Sequence, residues 1–231
     1  MVEACSNFCF PVPEKLEGAL VKLVPFLVAS HAEAFCASSD DALFSFLPWG
    51  PFSSTEEFVS TVLGERINNN PSIALFAVID KATGSLAGTI GLLDASPVHL
   101  CAEIGFVITL KSFQRTHVTS HAIGLLLHWM LDTPAQGGLG LRRAAWRANA
   151  FNERSVSAAK RMGFRMEGLM RWARVLPESR TEAEGARREG PREGDPKPRC
   201  LGGDSVILGL CWDDWEGGVR EQVDKIMSRV I

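Results

Sequence analysis

The stretch Glu103-Ile-Gly-Phe-Val-Ile-Thr109, followed by Leu110-Lys-Ser-Phe-Gln-Arg-Thr-His-Val-Thr-Ser-His-Ala122 and Ile123-Gly-Leu-Leu-Leu-His-Trp129, decides the fold of this chain. Its first part alternates apolar side chains and is rich in β-branched and aromatic residues, which predicts a buried strand. From Val118 onward the apolar residues take helical spacing, which predicts a helix over 116–132. A short polar turn joins the two elements.

The polar turn at the start of this helix has the chemistry of an anion site. A helix N terminus leaves backbone N–H groups without partners and carries partial positive charge. Phosphate is the usual guest of such a terminus. Arg115 adds a full charge, and Thr116, Thr119 and Ser120 add hydroxyl donors. A simple N-cap at Thr116 or Thr119 is the alternative, and this segment alone favours it because capped helices are common.

The composition indicates one globular domain. The chain has 231 residues, of which 46% are apolar, and a formal net charge of −3. This length supports one buried core with extensions, and the charge gives no case for a nucleic-acid or membrane partner. We find no run of about 18 apolar residues and no secretory signal pattern. The scattered cysteines, without paired metal-type spacing, predict reduced thiols in an intracellular protein. They are Cys5, Cys9, Cys36, Cys101, Cys200 and Cys211.

Periodicity divides the rest of the chain into alternating strands and helices. The predicted strands span 16–28, 72–80, 85–94, 103–109, 141–149, 164–175 and 204–212. The predicted helices span 29–39, 116–132, 152–162 and 213–230, and another begins at the capping-box sequence Ser54-x-x-Glu57. This order of elements predicts a single mixed α/β domain over residues 1–231. Twelve of the twenty-two residues in 178–199 are charged, which predicts a flexible excursion at about 177–203.

The central segment resembles the pyrophosphate-binding motif of the GNAT superfamily, the acetyl-CoA-dependent N-acetyltransferases. In that family, Gln/Arg-x-x-Gly-x-Gly/Ala opens the central helix after a strand often written Glu-Ile-Gly-aromatic. Residues Glu103–Phe106 match the strand, and Gln114 and Arg115 match the start of the turn. His117 and Thr119 stand where the family usually has glycines, which let the backbone approach the pyrophosphate closely. A Cβ at both positions could displace the phosphates, and contact through the two side chains is the alternative.

A second segment carries the same resemblance. Asn152-x-x-Ser155, followed by Lys160-Arg-Met-Gly-Phe164, is similar to the RimJ/RimL-like branch, which acetylates protein N-termini and small amines. In that branch the asparagine and serine face the pantetheine arm and the thioester. A capping role for Asn152 is the alternative. The resemblance covers about residues 16–212 and implies a GNAT-like (acyl-CoA N-acyltransferase) fold, with a central, mostly antiparallel sheet flanked by helices.

The resemblance also implies roles for individual residues. Acetyl-CoA is the expected co-substrate, and the backbone N–H of Phe106 or Val107 is expected to polarise its carbonyl. Glu103 is the candidate base for the amine, with a salt bridge or solvation at a strand end as an equal alternative. The family often uses a tyrosine to protonate the leaving thiolate. This chain has no tyrosine, so that role falls to Ser155, to water or to no group. The expected cofactor-binding residues are Phe106, Val107, Ile108, Gln114, Arg115, Thr116, His117, Val118, Thr119, Ser120, Asn152 and Ser155.

The acceptor side is predicted from its tryptophans. Trp49 lies in a Pro-Trp-Gly-Pro loop that overhangs the acceptor in the family, and an anchoring role in the loop is the alternative. Trp146 and Trp172, with Glu103, complete the predicted substrate-binding set. His117 and His121 have the i, i+4 spacing of zinc ligands, but no third ligand is evident and no metal is expected.

These features predict transfer of an acetyl group from acetyl-CoA to a primary amine of a small molecule or a peptide N-terminus. The enzyme is expected to be cytoplasmic, with no nucleic-acid or membrane partner and with a homodimer as one option. The alternative is a GNAT-like scaffold whose altered turn has lost CoA. Such a scaffold would bind another small molecule or catalyse a reaction other than acetyl transfer.

Overall fold

A computed structural model describes residues 7–229 and contains one eight-stranded sheet. The strands are β1 (Leu16–Glu17), β2 (Val21–Pro25), β3 (Ala74–Asp80), β4 (Leu86–Ser96), β5 (Cys101–Thr109), β6 (Arg143–Asn149), β7 (Arg165–Val175) and β8 (Gly202–Cys211). Their order is β1-β2-β3-β4-β5-β6-β8-β7. All neighbours are antiparallel except β5 and β6, which are parallel. The predicted mixed fold with a mostly antiparallel sheet is confirmed.

Helices flank the sheet. They are α1 (Glu33–Ala37), α2 (Thr55–Phe58), α3 (Val118–Leu131), α4 (Glu153–Arg161), α5 (Trp212–Asp214) and α6 (Arg220–Met227). Wider helical segments precede α1, extend α2 and join α5 to α6; they are Val28–Ala32, Val59–Ile67 and Trp215–Val219. Ser54 caps α2, as its sequence predicts, by accepting a hydrogen bond from the backbone N–H of Glu57. Within residues 7–229 no helix is both long and apolar enough to cross a bilayer.

Two hydrophobic cores lie on opposite faces of the sheet. Alternation along each strand sends successive side chains to opposite faces. In β3, Phe76 packs in the core shared with α3, whereas Leu75 and Ala77 pack in the core formed with α2. Phe76 is fully buried, and burial of such a side chain stabilises the fold by about 1.5–3 kcal/mol.

Two predicted boundaries differ from the structure. The single strand predicted over 16–28 is a short hairpin of β1 and β2, closed by a hydrogen bond from the Gly18 N–H to the Val21 carbonyl. Helix α3 begins at Val118 rather than at residue 116, because the Thr116 side chain accepts a hydrogen bond from the Val118 N–H. Five cysteines are free thiols in the structure, and Cys5 lies outside the described residues.

The charged connection between β7 and β8 is attached to the fold at Arg180, whose side chain is buried. The guanidinium Nη2 donates to main-chain carbonyls of the aromatic loop that follows α1. These are the oxygens of Phe44 at 2.7 Å, Gly50 at 2.8 Å, and Leu47 and Trp49 at 3.3 Å each. A short helical turn, Glu182–Glu184, follows. The predicted flexibility of this excursion stays a prediction.

Candidate active site

The parallel strands β5 and β6 separate partway along their length. They pair from Cys101 opposite Arg143 to Ile104 opposite Trp146, and their hydrogen-bonded register ends there. Helix α3 follows β5 and helix α4 follows β6, so both helix N termini open towards the end of the sheet at which the strands diverge. Ligands of α/β proteins bind in crevices at the carboxyl ends of parallel strands.

A bulge in β5 lies just beyond the last β5–β6 pair. Gly91 of β4 pairs with Gly105 and Thr89 pairs with Ile108, so Phe106 and Val107 both stand opposite one residue of β4. Phe106 has a φ of 51°, and its carbonyl accepts a 2.8 Å hydrogen bond from the buried Thr89 hydroxyl. Bulges of this kind change the direction of local backbone groups and often occur next to active sites. Val107 is half-buried.

The two residues that replace glycines at the start of α3 are held by other parts of the protein. His117 Nε2 lies 3.0 Å from Asp80 Oδ1 at the end of β3. The Thr119 hydroxyl lies 2.7 Å from the Thr109 hydroxyl at the end of β5. Burial alone would raise the pKa of Asp80, but hydrogen bonds from Thr83 and His117 lower it overall. Both side chains therefore bind neighbouring strands.

The backbone at this helix start is open to a ligand. The N–H groups of Thr119 and Ser120 have no acceptor among the described residues. Arg115 has a φ of 63° and an exposed side chain, and the Gln114 side chain donates to the Thr109 carbonyl at 3.1 Å. Val118 is buried beneath the turn.

A cavity of about 240 Å³ lies beside this helix start. Its lining comes from α3 and the preceding turn, from the end of α4, from the end of α6 and from the residues that follow α6. The lining residues are Arg115, Thr116, His117, Ser120, His121, Arg161, Ile226 and Arg229. His121 is 1% exposed, and neither of its ring nitrogens has a hydrogen-bond partner in the part of the chain that the structure describes. Burial and then the charge of His117 lower the pKa of His121, which favours the neutral ring.

Asn152 caps α4 and positions Ser155. The Asn152 side chain accepts a 3.1 Å hydrogen bond from the Ser155 N–H. The Ser155 hydroxyl oxygen accepts a second one, also 3.1 Å long, from Trp146 Nε1. Because the indole can only donate, the hydroxyl hydrogen of Ser155 remains free to donate elsewhere. Trp146 is 2% exposed and packs against Phe164, so its contact with the site in this conformation runs through Ser155.

Glu103 is buried on the face of the sheet opposite α3 and is 6% exposed. Its carboxylate pairs with the Arg147 guanidinium, which also pairs with Asp94. Burial raises the pKa of Glu103, and the positive charges of Arg147 and Arg174 oppose that rise. Glu103 is therefore both ion-paired and easier to protonate than an exposed glutamate.

Trp49 packs in the core rather than facing solvent. It is 8% exposed and stacks on Phe52 with 5.9 Å between ring centroids. Its ring also lies 6.1 Å from that of Phe106 in the β5 bulge. Arg180 of the charged connection binds the main-chain carbonyl of Trp49, and the Trp49 ring contacts Phe106. The charged connection is thus linked to the β5 bulge.

Trp172 lies on the edge strand β7 and is 48% exposed. The Arg187 guanidinium carbon lies 5.0 Å from its ring centroid. The Trp172 N–H donates to Asp204 at 2.8 Å, and its φ is 55°. This geometry fixes an aromatic surface at the rim of the sheet.

Metal-type ligands form one cluster of three within residues 7–229. It consists of Cys211, Asp213 and Asp214, at the start of α5. His117 and His121 have rings 5.4 Å apart, but His117 is bound to Asp80.

Sequence reasoning missed three residues that shape the site: Thr89, Arg147 and Arg180. It considered His121 only as a possible zinc ligand, with a cap or surface role as the alternative, whereas the ring is buried in the structure. Ala144, Trp146 and Ala148 on β6 are buried and alternate with Arg143, Ala145 and Arg147, and this pattern is a signal that could have placed Arg147 on the same face of the sheet as Glu103. Arg180 has no such signal, because its partners are main-chain carbonyls about 130 residues away.

The comparisons with known proteins agree with this geometry. The acetyltransferase (GNAT) domain family matches residues 21–165. A GCN5-related N-acetyltransferase from Brucella melitensis superposes with a TM-score of 0.74 at 24% identity, covering 94% of this chain and 87% of its own. A structure from Chromobacterium violaceum assigned to the GNAT family gives 0.70 at 26% identity, covering 89% and 90%.

A more distant structural neighbour was solved with ligands. It is a spermidine N-acetyltransferase from Vibrio cholerae in complex with CoA and spermine, with a TM-score of 0.60 at 14% identity, covering 86% of this chain and 99% of its own. No curated protein sequence matches this chain. The family match spans more than half of the residues, and the strand divergence and bulge lie within it. The chain therefore belongs to the GNAT acetyltransferase family.

Proposed function

We propose that this protein transfers an acetyl group from acetyl-CoA to a primary amine, on a small molecule or a peptide N-terminus, as the RimJ/RimL-like branch does. The observation that carries the proposal is the divergence of β5 from β6, with two helix N termini opening at the same end. Bound there, the thioester supplies the acetyl group and a thiol leaving group. The Vibrio cholerae neighbour, solved with CoA and a polyamine, supports this choice of ligands.

The start of α3 suits the diphosphate of the coenzyme. The free N–H groups of Thr119 and Ser120 and the Arg115 guanidinium supply donors and positive charge. The substitutions at the glycine positions fit this role, because the hydrogen bonds of His117 to Asp80 and of Thr119 to Thr109 hold both side chains to neighbouring strands.

The β5 bulge suits carbonyl polarisation. Phe106 and Val107 lie where β5 no longer pairs with β6, and the Thr89 hydrogen bond fixes the Phe106 peptide. One preorganised N–H donor of this kind lowers a barrier by about 3 kcal/mol.

Glu103 and Ser155 take the two proton-transfer roles. Glu103, with its raised pKa, accepts the proton of the attacking amine directly or through water, while Arg147 holds the carboxylate in place. Ser155, whose oxygen is held by Trp146, directs its free hydrogen towards the leaving sulfur. The absence of tyrosine leaves Ser155 as the hydroxyl donor of the α4 terminus.

The proposal is tested by isothermal titration with acetyl-CoA, followed by an assay of amine-dependent release of free thiol. We expect micromolar binding and thiol release that depends on the added amine. A double variant, His117→Gly with Thr119→Gly, should bind acetyl-CoA no more tightly than the wild type, because neither side chain covers the helix start. Absence of binding to any acyl-CoA, with a thermal shift by another metabolite, would support the scaffold alternative instead. The cytoplasmic location stays a prediction.

A further inference from the structure

The cavity beside α3 joins basic groups from three separate elements. Arg115 precedes α3, Arg161 ends α4 and Arg229 follows α6. None of these three guanidinium groups has an ion-pair partner among residues 7–229. Asp80, the carboxylate that contacts the lining residue His117, is already bound by that histidine and by Thr83. The cavity therefore has an uncompensated positive charge.

His121 is an independent sign that the cavity holds a polar ligand. Buried polar atoms in native proteins nearly always have hydrogen-bond partners. Both ring nitrogens of His121 lack one, although the ring is 1% exposed and lines the cavity. A neutral imidazole carries one N–H donor, which suits an anionic oxygen.

The C-terminal helix holds its part of the cavity firmly. Asp132 at the end of α3 accepts hydrogen bonds from Trp215 and from Arg220. His128 of α3 binds Asp224 of α6 at 2.9 Å. The Gln222 side chain donates to the Arg161 carbonyl at 2.9 Å, which links α6 to the end of α4. These contacts fix Arg161 relative to the C-terminal residues that follow α6.

We propose that this cavity is a phosphate monoester site, and that Arg161 and Arg229 with His121 bind the 3′-phosphate of the coenzyme. The inference rests on the proposed function and assigns a ligand role to residues that follow the start of α3. The family match ends at residue 165, so Arg229 lies in a part of the chain outside it. A phosphate monoester is close to a dianion at neutral pH. In a diphosphate bridge, by contrast, the negative charge is divided between two separate phosphate groups. Several guanidinium donors around one group favour the dianion.

The test compares acetyl-CoA with acetyl-3′-dephospho-CoA by isothermal titration at fixed salt. The wild type should bind acetyl-CoA about 10- to 100-fold more tightly, the range of one or two charge-assisted contacts. Arg161→Gln and Arg229→Gln should each reduce that ratio about tenfold and leave binding of the dephospho form unchanged. Arg229→Lys should retain part of the ratio. Arg192→Gln, which removes the same charge outside the cavity, should preserve it.

Equal binding of the two coenzymes by the wild type would overturn the inference. The inference would also be overturned if the arginine variants reduced the affinity for both coenzymes equally. That result would indicate a general electrostatic attraction rather than a specific phosphate site. The same variants are titrated with adenosine 3′,5′-bisphosphate and adenosine 5′-phosphate. If acetyl-CoA does not bind but the bisphosphate is preferred in an Arg229-dependent manner, the proposed function fails and the phosphate site stands. If neither preference exists, the site is refuted as well.

Discussion

Replacing Arg180 by alanine should destabilise the protein strongly. Its side chain is 3% exposed, and two of its bonds, to the Phe44 and Gly50 carbonyls, are 2.8 Å or shorter. A hydrogen bond from a charged donor contributes about 1.5–3 kcal/mol, and a buried acceptor left without its donor costs about 1–3 kcal/mol. Allowing for water that enters the gap, we expect a loss of about 3 kcal/mol in the free energy of unfolding. For a chain of this size, that corresponds to a Tm lower by about 6–12 °C.

Urea denaturation and differential scanning calorimetry measure this loss. Arg188 provides a matched control, because it lies in the same charged connection with a side chain that is 86% exposed and pairs with Glu182. Arg188→Ala should change stability by less than about 0.5 kcal/mol, as surface substitutions usually do. Arg180→Lys should fall between the two, since one ammonium cannot reach all four carbonyls. If Arg180→Ala and Arg188→Ala have the same effect, the guanidinium does not hold the aromatic loop and the reasoning is refuted.

Three other predictions concern the site and the C-terminal helix. The acid limb of the pH profile of kcat/KM should reflect the raised pKa of Glu103, and Arg147→Gln should move it to higher pH because the opposing charge is gone; a limb that stays in place would exclude Glu103 as the base. Trp146→Phe should cost about 1 kcal/mol in chemical denaturation and lower kcat to the level of Ser155→Ala, and a double variant that loses activity additively would contradict a shared role. Burial alone would raise the pKa of Asp132, but hydrogen bonds from Arg220, His128 and Trp215 lower it. Its stabilising effect should therefore be complete above the unfolded pKa of about 3.9 and be lost as the pH falls below it. Urea titrations of Asp132→Asn should show a smaller loss between pH 5 and pH 3 than the wild type, and an equal loss would disprove the assignment.

The parts of the fold that sequence could predict are those governed by local periodicity. Strand β5 and helix α3 were recognisable because β-branched alternation changes to helical spacing near Val118. The exact start of α3 was not, because it depends on which hydroxyl accepts the Val118 N–H. Similarly, Ser54 is identifiable as a cap from the glutamate three residues later.

Contacts between distant parts of the chain were beyond sequence reasoning. The segment 178–199 lacks large apolar residues, so nothing in it indicated that Arg180 would be buried among carbonyls of another loop. Trp146 was predicted to contact the substrate because tryptophan is a residue type that stacks on ligands. Its position on β6 instead directs the ring into the core beneath α4. The bulge at Phe106 arises from a register shift between two strands, which neither strand alone encodes.

The strand order of the sheet has a consequence for how the chain is made. Strand β8 lies between β6 and β7, and β7 joins the sheet of the described residues through β8. After residues 165–175 have left the ribosome, the whole charged connection and then β8 must still be synthesised before β7 has a partner strand. Until then its half-exposed Leu169, Met170 and Trp172 have no place in the sheet. The rim around Trp172 therefore forms only after β8 has been synthesised, and the acidic and basic residues of the connection keep this unpaired stretch hydrated.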